Sequence, residues 1–501
     1  MNHINNITQA NTLNSSGGEA YLMTNEKALA QLAYTGTSNG TFHASGESQV
    51  AEIIDLANKV SPAFLARVCV YSRQSAFMKD TSATLLAVLC SRDINLFKEV
   101  FNQVVDNGKM LKNFCKVIRS GTTGRKSFGS APKKMIEQWL KGRSDKQLLE
   151  DSVGNDPSLV DVIKMVHPHP VDSERDAFYA YLLGKGNLSM EKLPKNVQEY
   201  EQFKQLPKGT RVVPNVPFQL LTSLDLSTEE WVEVAKNAGW QMTRMNLNTF
   251  ARHGVFESPG MTELIAERLS NRESVLRSKV FPYQLFAAYH HSDDTIPVAV
   301  KNALQDAMEV ATENIPRFKG KVVVGVDCSG SMNCPVTGNR GKVVSSKVTC
   351  NQVAALVAAC VLRNSEDTDV IRFDTVATKI SLNPRDSVMT NCERIGFNGG
   401  GTDCSAPVRL LNKAKSKVDL VIIVSDNESW YQIESYGRTS LLEAWTTLKA
   451  NNPKAKLVCI DLAATSTTQV PSTRDCLNIG GWSDNAFTAI AGFLEPPTTS
   501  L

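Results

Sequence analysis

Four runs of apolar, largely β-branched residues constrain the C-terminal part of this chain more than any other feature. The runs are KVVVGVD, DVIRF, VDLVIIVSD and KLVCIDL, and all of them lie after Lys319. Stretches of helical periodicity, such as KVTCNQVAALVAACVLR, separate them. Continuous apolar strands that alternate with helices indicate a parallel sheet that is covered on both faces. We therefore expect an α/β domain over residues 319–501.

Three polar clusters follow or lie between these runs. VDCSGS contains Asp327, Ser329 and Ser331, GGGTD contains Thr402, and VSDNES contains Asp426. Sites in parallel sheets lie at the carboxyl ends of strands, and hydroxyl and carboxylate oxygens suit a hard cation. The clusters predict a site for Mg²⁺, or another divalent cation, that these five residues form. The alternative is a set of polar loop ends that bind no metal.

Other chemistry for the two serines is excluded by sequence context. Neither Ser329 nor Ser331 stands in the G-x-S-x-G pattern of a serine hydrolase, and no histidine follows His291 to act as a general base. The GxxxxGK[ST] pattern of a phosphate-binding loop does not occur. We therefore expect no enzyme and no catalytic residues.

The first part of the chain has helical periodicity from about residue 19 to about residue 318. Asp93 is expected to cap a helix at its N-terminus, and Ser227 with Glu230 has the form of a capping box. Helices of this length joined by short turns suggest stacked pairs of the HEAT kind, and an irregular bundle is the alternative. Residues 1–18 have neither the basic start nor the apolar core of a signal peptide, and we expect a disordered tail.

Composition favours a cytoplasmic protein. No apolar run approaches the roughly 20 residues that a membrane helix needs, so we expect no membrane contact. The eleven cysteines include no CxxC pair, which favours reduced thiols over a disulfide framework or a zinc site. Three of them, Cys328, Cys334 and Cys404, are expected near the metal site as small buried or partly buried thiols.

Positive charge is concentrated between Asn107 and Arg143, which we call the basic segment. It contains ten basic residues and one acidic residue, Glu137, and so carries +9, whereas the whole chain carries +3. In helical form, KMLKNFCKVIR would place its cations on one face, and GTTGRKSFG would present two more from a loop. Such clusters supply phosphate contacts in RNA-binding proteins, although a solvated face is the alternative. The predicted RNA-binding residues are Lys109, Lys112, Lys116, Arg119, Arg125, Lys126, Lys133, Lys134, Lys164 and His167.

The last two of these residues belong to KMVHPHP. The prolines at positions 168 and 170 end a helix, so His167 is expected at a helix terminus beside Lys164. There it could stack on a base or bind a phosphate. A turn histidine without a ligand role is the alternative.

These motifs together resemble one protein family. D-x-S-x-S followed by a distant Thr and a distant Asp is the metal-ion-dependent adhesion site (MIDAS) of von Willebrand factor A (vWA) domains. VDCSGSM, GGGTDCSAP and SDNES resemble the A domain of the Ro autoantigen and its bacterial relatives. In the helical part, segments that include NSSGGEAYLM, GRKSFGSAPKKMIEQWL, KMVHPHP and KVFPYQLFAAYHH resemble the telomerase–Ro–vault (TROVE) module. The resemblance extends from about residue 13 to about residue 495.

The resemblance implies a TROVE ring of HEAT-like helical repeats over residues 19–318. An α/β Rossmann-like vWA domain with a Mg²⁺-binding MIDAS, residues 319–501, would close it. In this family the hole takes the single-stranded 3′ end of misfolded RNA, and the outer surface binds small structured noncoding RNAs (Y RNAs). The bacterial proteins can tether an exoribonuclease. The resemblance thus implies a monomeric, non-enzymatic ribonucleoprotein of noncoding RNA quality control. The alternative is a metal-dependent protein-interaction scaffold that uses the MIDAS.

Overall fold

The structure is a computed structural model. It describes residues 9–14, 16–35, 45–154, 156–186, 188–336, 339–340, 343–344, 347–426, 429, 438–463 and 467–495. Two compact units are distinguished, Met1–Glu52 with Ala266–Asp293 and Val298–Leu501, and Ile53–Ile265 with Asp294–Pro297. The division of the chain at residues 18 and 318 stays a prediction. None of the described helices is both long enough and apolar enough to span a bilayer.

The described residues of the predicted N-terminal tail are ordered, which differs from the sequence expectation. The chain begins with strands β1 (Thr12–Leu13) and β2 (Glu19–Leu22), which pair antiparallel. The side chain of Asn14 is buried, because its Nδ2 donates to the carbonyl of Ser429 (2.9 Å) and its Oδ1 accepts from the Gly18 amide (2.7 Å). The bond to Ser429 joins residues far apart in sequence, so no local pattern predicts it. Residues 1–8 of the predicted tail lie outside the described part.

A long series of helices follows. Their bounds are α1 (Asn25–Thr35), α2 (Gly46–Lys59), α3 (Pro62–Gln74), α4 (Asp80–Arg92), α5 (Ile94–Val104), α6 (Gly108–Ser120), α7 (Ser130–Lys141), α8 (Asp145–Ser152), α9 (Leu159–Val166), α10 (Ser173–Leu182), α11 (Lys195–Gln205), α12 (Phe218–Leu221), α13 (Thr228–Asn237), α14 (Trp240–Met245), α15 (Leu247–Arg252), α16 (Met261–Ser270), α17 (Arg272–Arg277), α18 (Pro282–His291) and α19 (Val298–Ala311).

Local signals in the sequence set several of these helix ends. Asp93 caps α5 as predicted, since its side chain accepts from the amides of Asn95 and Leu96 at 2.9 and 3.0 Å. Ser227 and Glu230 form the predicted capping box of α13. The apolar face of α5 buries Phe97 and Phe101, whose rings contact Phe114 of α6. Amphipathic helices with deliberate caps and short connections pack in this way.

A buried ion pair fixes the start of α13. Arg211 and Glu230 are joined by two bonds of 2.7 Å, and their side chains are 7% and 3% exposed. We expect Glu230→Ala to lower the free energy of unfolding by about 3 to 5 kcal/mol, because it leaves the buried Arg211 charge unpaired. Urea denaturation measures this change. Glu229→Ala, at the exposed neighbouring position, is the matched control and should change stability by less than ~0.5 kcal/mol.

The remaining elements form the predicted α/β domain. They are β3 (Phe318–Asp327), β4 (Asn339–Arg340), β5 (Val343–Val344), α20 (Cys350–Arg363), β6 (Ser365–Phe373), β7 (Ala377–Ile380), α21 (Val388–Ile395), α22 (Ala406–Lys413), β8 (Leu420–Ser425), α23 (Ser440–Asn451), β9 (Lys456–Asp461), β10 (Thr467–Thr468), β11 (Cys476–Gly480) and α24 (Asn485–Leu494).

Six of these strands form one sheet in the order β11-β9-β8-β3-β6-β7. The four predicted strands are β3, β6, β8 and β9, and neighbouring members of this group are parallel. All six residues of β8 are buried, as expected for a strand covered on both faces. Register pairs Val326 of β3 with Val424 of β8. The carboxyl ends of these two central strands therefore lie side by side.

Candidate functional site

Three loops converge at the carboxyl edge of this sheet. Strand β3 ends at Asp327, and Asp426 follows the last residue of the neighbouring strand β8. The GGGT loop reaches the same edge, because Ser329 forms a parallel bridge with Gly400 and the Gly330 amide donates to the Gly400 carbonyl at 2.8 Å. The three polar clusters are thus carried to one edge of the sheet, where the predicted site requires them.

Hydrogen bonds orient the central carboxylate. Asp327 Oδ1 accepts from the Ser329 amide at 2.8 Å, and Oδ2 accepts from the Ser425 hydroxyl at 2.5 Å. The hydroxyl oxygens of Ser329 and Ser331 lie 3.4 Å apart. Thr402 is buried. Two carboxylates and three hydroxyls are the oxygen donors that the predicted site would use.

Electrostatics at this edge favour a cation. Asp327 and Asp426 are both fully buried, and burial together with the Asp426 charge raises the pKa of Asp327 to about 7. Two buried like charges repel each other unless a positive ion lies nearby. A hard divalent cation with oxygen ligands would remove that repulsion, so the donors present fit Mg²⁺. No group of three or more His, Cys, Asp or Glu side chains suited to a metal occurs in the described part of the chain, so any ion here depends on the hydroxyls.

Several residues that support this edge were not predicted. Ser425 donates to Asp327, and Asn351 Nδ2 donates to the Asp327 carbonyl at 3.3 Å. Asp403, next to Thr402, is occupied by α22, since its carboxylate accepts from the Ser405 amide and hydroxyl and pairs with Arg409. The serine and arginine spacing after Asp403 is the sequence signal for this role. The predicted burial of the three cysteines is confirmed, since Cys328 and Cys404 are buried and Cys334 is partly buried.

The predicted RNA-binding residues lie on α6, the loop after it, α7 and α9, and His167 directly follows α9; all are in the second compact unit. Helix α9 packs against both α6 and α7, and the amide of His169 donates to Glu137 of α7 at 3.3 Å. Eight of the ten predicted side chains are exposed. They are Lys109, Lys116, Arg119, Lys126, Lys133, Lys134, Lys164 and His167.

Lys112 departs from the predicted stripe of cations on α6. It is only 4% exposed, and its ammonium donates to the carbonyls of Asp151 (2.9 Å) and Val153 at the end of α8. Burial and the neighbouring Lys109 lower its pKa. Lys112 therefore caps α8, and its ammonium group is committed within the protein and does not face a phosphate.

Arg125 is likewise committed within the protein. Its guanidinium donates to the carbonyls of Cys90 (3.0 Å) and Phe128 (3.1 Å). It therefore holds the loop over residues 121–129, while its neighbour Lys126 is exposed. The loop itself was predicted correctly, and glycine at positions 121, 124 and 129 supplies the positive φ values that it needs.

Replacement of the buried Lys112 and of the exposed Lys116 on α6 should affect stability differently. Lys112→Ala should lower the free energy of unfolding by about 2 to 3 kcal/mol, because two carbonyls at the end of α8 lose their donor. Lys116→Ala should change it by less than ~0.5 kcal/mol, since Lys116 forms only an exposed pair with Asp156. Chemical denaturation of both variants gives the comparison. Equal stability of the two variants would contradict the capping role of Lys112.

Two cavities border exposed members of the predicted RNA-binding set. One, of about 950 Å³, is lined by Lys109, Lys112, Lys146 and several amide side chains. The other, of about 450 Å³, is lined by Lys164, His167, Tyr179 and Lys185. His167 is the residue after α9, as predicted, and has a left-handed backbone (φ 54°). Its side chain is thus presented at the rim of a concave surface.

The sheet order, the parallel central strands and the three loops at their carboxyl ends define a von Willebrand factor A domain. Residues 321–494 match the family model described as the Ro60 vWA domain. This assignment covers the C-terminal domain alone.

Relatives extend the similarity to nearly the whole chain. The RNA-binding protein RO60 of Deinococcus radiodurans is 23% identical over 95% of this chain and 94% of its own length. The RNA-binding protein RO60 of Caenorhabditis elegans is 21% identical over 72% of this chain and 64% of its own length. The crystal structure of the Deinococcus radiodurans RO (RSR) protein superposes with a TM-score of 0.66 at 19% identity, covering 94% of this chain and 99% of that one.

The predicted resemblance to the Ro family is therefore confirmed. The predicted fold class, a module of helical repeats followed by an α/β Rossmann-like vWA domain, is confirmed as well. The metal ligands and the RNA contacts stay predictions.

Proposed function

We propose that this protein binds structured noncoding RNA through the exposed cations of α6, the following loop, α7 and α9. The observation that carries the proposal is the exposure of seven lysine and arginine side chains on α6, α7, α9 and the loop between α6 and α7. Helix α9 packs against both other helices, and the chain is similar to RNA-binding Ro proteins. Sequence-independent phosphate contacts of this kind give affinity that weakens steeply with salt.

The finer parts of the proposal come from the family resemblance. The RNAs would be Y-like RNAs and misfolded RNAs with a single-stranded 3′ end, in noncoding RNA quality control. The protein would act in the cytoplasm as a monomer that can recruit an exoribonuclease. The two cavities beside Lys109 and His167 are large enough to receive an unstacked nucleotide, and lysine side chains contribute to the lining of both.

The protein's part would be binding without catalysis. In the edge of the vWA domain, Asp327 and Asp426 would neutralise a Mg²⁺ ion, and Ser329, Ser331 and Thr402 would supply neutral oxygens. When bound, the ion would supply an open coordination position for an acidic group. The residues around it hold the loops: Ser425 and Asn351 orient Asp327, and Arg409 keeps Asp403 turned toward α22.

A second candidate function, metal-dependent capture of a protein partner, is favoured by the same edge. The two buried carboxylates would bind the ion, and the small number of protein ligands would leave a coordination position open for an acidic side chain of the partner. Under this function, Asp327→Ala would abolish partner capture, and RNA binding would be weak and insensitive to structure.

Fluorescence anisotropy with a labelled structured RNA over a range of KCl concentrations tests the proposal. The expected result is tight binding at low salt and a steep linear decrease of log affinity with log salt. Weak binding with a shallow slope would contradict the role of the cations. Repeating the titration in chelator separates the two functions. RNA bound by the cations of the second compact unit stays bound, whereas capture of a protein partner through the metal does not.

A further inference from the structure

The side chains of Cys334 and Cys350 are adjacent, near the carboxyl edge of the sheet. Their sulfur atoms lie 3.5 Å apart. Pro335 and Thr349 form an antiparallel bridge, and the Cys350 amide donates to the Cys334 carbonyl at 2.9 Å. The two cysteines therefore occupy opposite positions of a short antiparallel pairing. Opposite residues in such pairs have Cα atoms about 4.5 to 5.5 Å apart, which is within the range that disulfides span.

The two thiols differ in accessibility. Cys334 is partly exposed, whereas Cys350 and the other nine cysteines are buried. The hydrogen bond with Cys334 and burial both raise the pKa of Cys350. Cys334 is therefore the thiol that a soluble oxidant reaches first, because exposure determines which of the two thiols is accessible. Cys350 is in place to react second.

We propose that Cys334 and Cys350 form a modification site at which a peroxide produces an intramolecular disulfide. The Cys334 thiolate attacks the peroxide oxygen, the O–O bond breaks, and Cys334 becomes a sulfenic acid while hydroxide leaves. The Cys350 sulfur then attacks the Cys334 sulfur, the S–O bond breaks, and water leaves with the Cys350 proton. In total, two thiols and one peroxide give one disulfide and two waters.

The position of the pair determines what the disulfide changes. Cys334 directly follows the short 3₁₀ turn Gly330–Asn333, and its amide donates to the Ser331 carbonyl at 3.2 Å. Cys350 is the first residue of α20, which also carries Asn351 beside Asp327. The disulfide would therefore tie the loop that bears Ser329 and Ser331 to α20 and close the segment between the two cysteines. This inference rests on the thiols alone and holds whether or not a metal binds.

The test treats the purified full chain with hydrogen peroxide and maps its thiols by mass spectrometry. The expected product is a peptide pair cross-linked between Cys334 and Cys350, with a loss of two hydrogens that dithiothreitol reverses. The disulfide closes the segment between Cys334 and Cys350 into a loop, which also restricts the unfolded chain. The oxidised protein should therefore melt several degrees higher than the reduced protein. Cys392→Ser removes a buried thiol of the same domain and serves as the matched control that retains the cross-link.

Two variants make the result decisive. Cys350→Ser should leave Cys334 as a sulfenic acid that dimedone traps, and Cys334→Ser should show neither the cross-link nor the rise in melting temperature. Cys334→Ser changes a partly exposed position and keeps the test valid if Cys350→Ser folds poorly. Recovery of unmodified Cys334 and Cys350 after peroxide, or of Cys334 over-oxidised without a cross-link, would overturn the proposal.

Discussion

Replacing five exposed cations with alanine should weaken binding of a structured RNA about a hundredfold at about 0.15 M salt. The same variant should reduce the steepness of log affinity against log salt by about 4. Each phosphate contact releases roughly one counterion when the RNA binds, so each lost contact removes roughly one unit of slope. The five residues all belong to the basic segment and are Lys116, Arg119, Lys126, Lys133 and Lys134.

This set omits Lys112 and Arg125 because their donors are committed to carbonyls of the protein. Their replacement would mix a loss of stability with a loss of binding. Circular dichroism of the five-residue variant should match the wild type, since each replaced side chain is exposed.

A matched control replaces the same number of charged residues elsewhere on the second compact unit. Its five residues are exposed lysines outside the basic segment: Lys59, Lys98, Lys192, Lys195 and Lys236. The control should retain most of the affinity and most of the salt slope. If both variants weaken binding equally, total charge alone drives binding. The basic segment would then be excluded as the specific RNA-binding surface.

The second large effect concerns the carboxyl edge of the sheet. Millimolar Mg²⁺ should raise the melting temperature of the wild type by about 5 °C, as expected for a ligand that binds only the folded state. Asp426→Asn should abolish this rise. In chelator, however, Asp426→Asn should melt at or above the wild-type temperature, because it removes one of two buried like charges.

Asp367→Asn is the matched control for the metal experiment. Asp367 lies near the start of β6, away from the carboxyl edge, and its side chain is 62% exposed. The control should keep the Mg²⁺-dependent rise. If Mg²⁺ does not stabilise the wild type, or stabilises Asp426→Asn equally, the edge does not bind the ion.

Sequence patterns predicted the central sheet because its strands are continuous and apolar. Strand β8 is buried throughout, and its first five residues are apolar; only Ser425 at its carboxyl end is polar, and its hydroxyl donates to Asp327. Two edge strands were missed for the opposite reason. No residue of β7 (ATKI) is fully buried, and β11 (CLNIG) contains asparagine and glycine, which are depleted in strands. Their pairing depends on a neighbouring strand, which local sequence does not reveal.

The placement of Asp327 and Asp426 at one edge of the sheet could be predicted, because Asp327 ends the buried strand β3 and Asp426 directly follows its neighbour β8. That these residues bind a metal stays a prediction. The roles of Asn14, Lys112 and Arg125 were not predictable, because each is set by a carbonyl distant in sequence, such as Ser429 for Asn14. A lysine one turn along the same helix looks equivalent in sequence, and burial separates Lys112 from Lys116.

The most direct test of RNA binding by this chain compares one structured RNA with and without a single-stranded 3′ tail, titrated at several salt concentrations. We expect tighter binding of the tailed RNA and a steep salt slope for both RNAs. Equal, weak and salt-insensitive binding of the two RNAs would contradict RNA binding by the exposed cations, and the carboxyl edge of the vWA sheet would then be the surface to test for function.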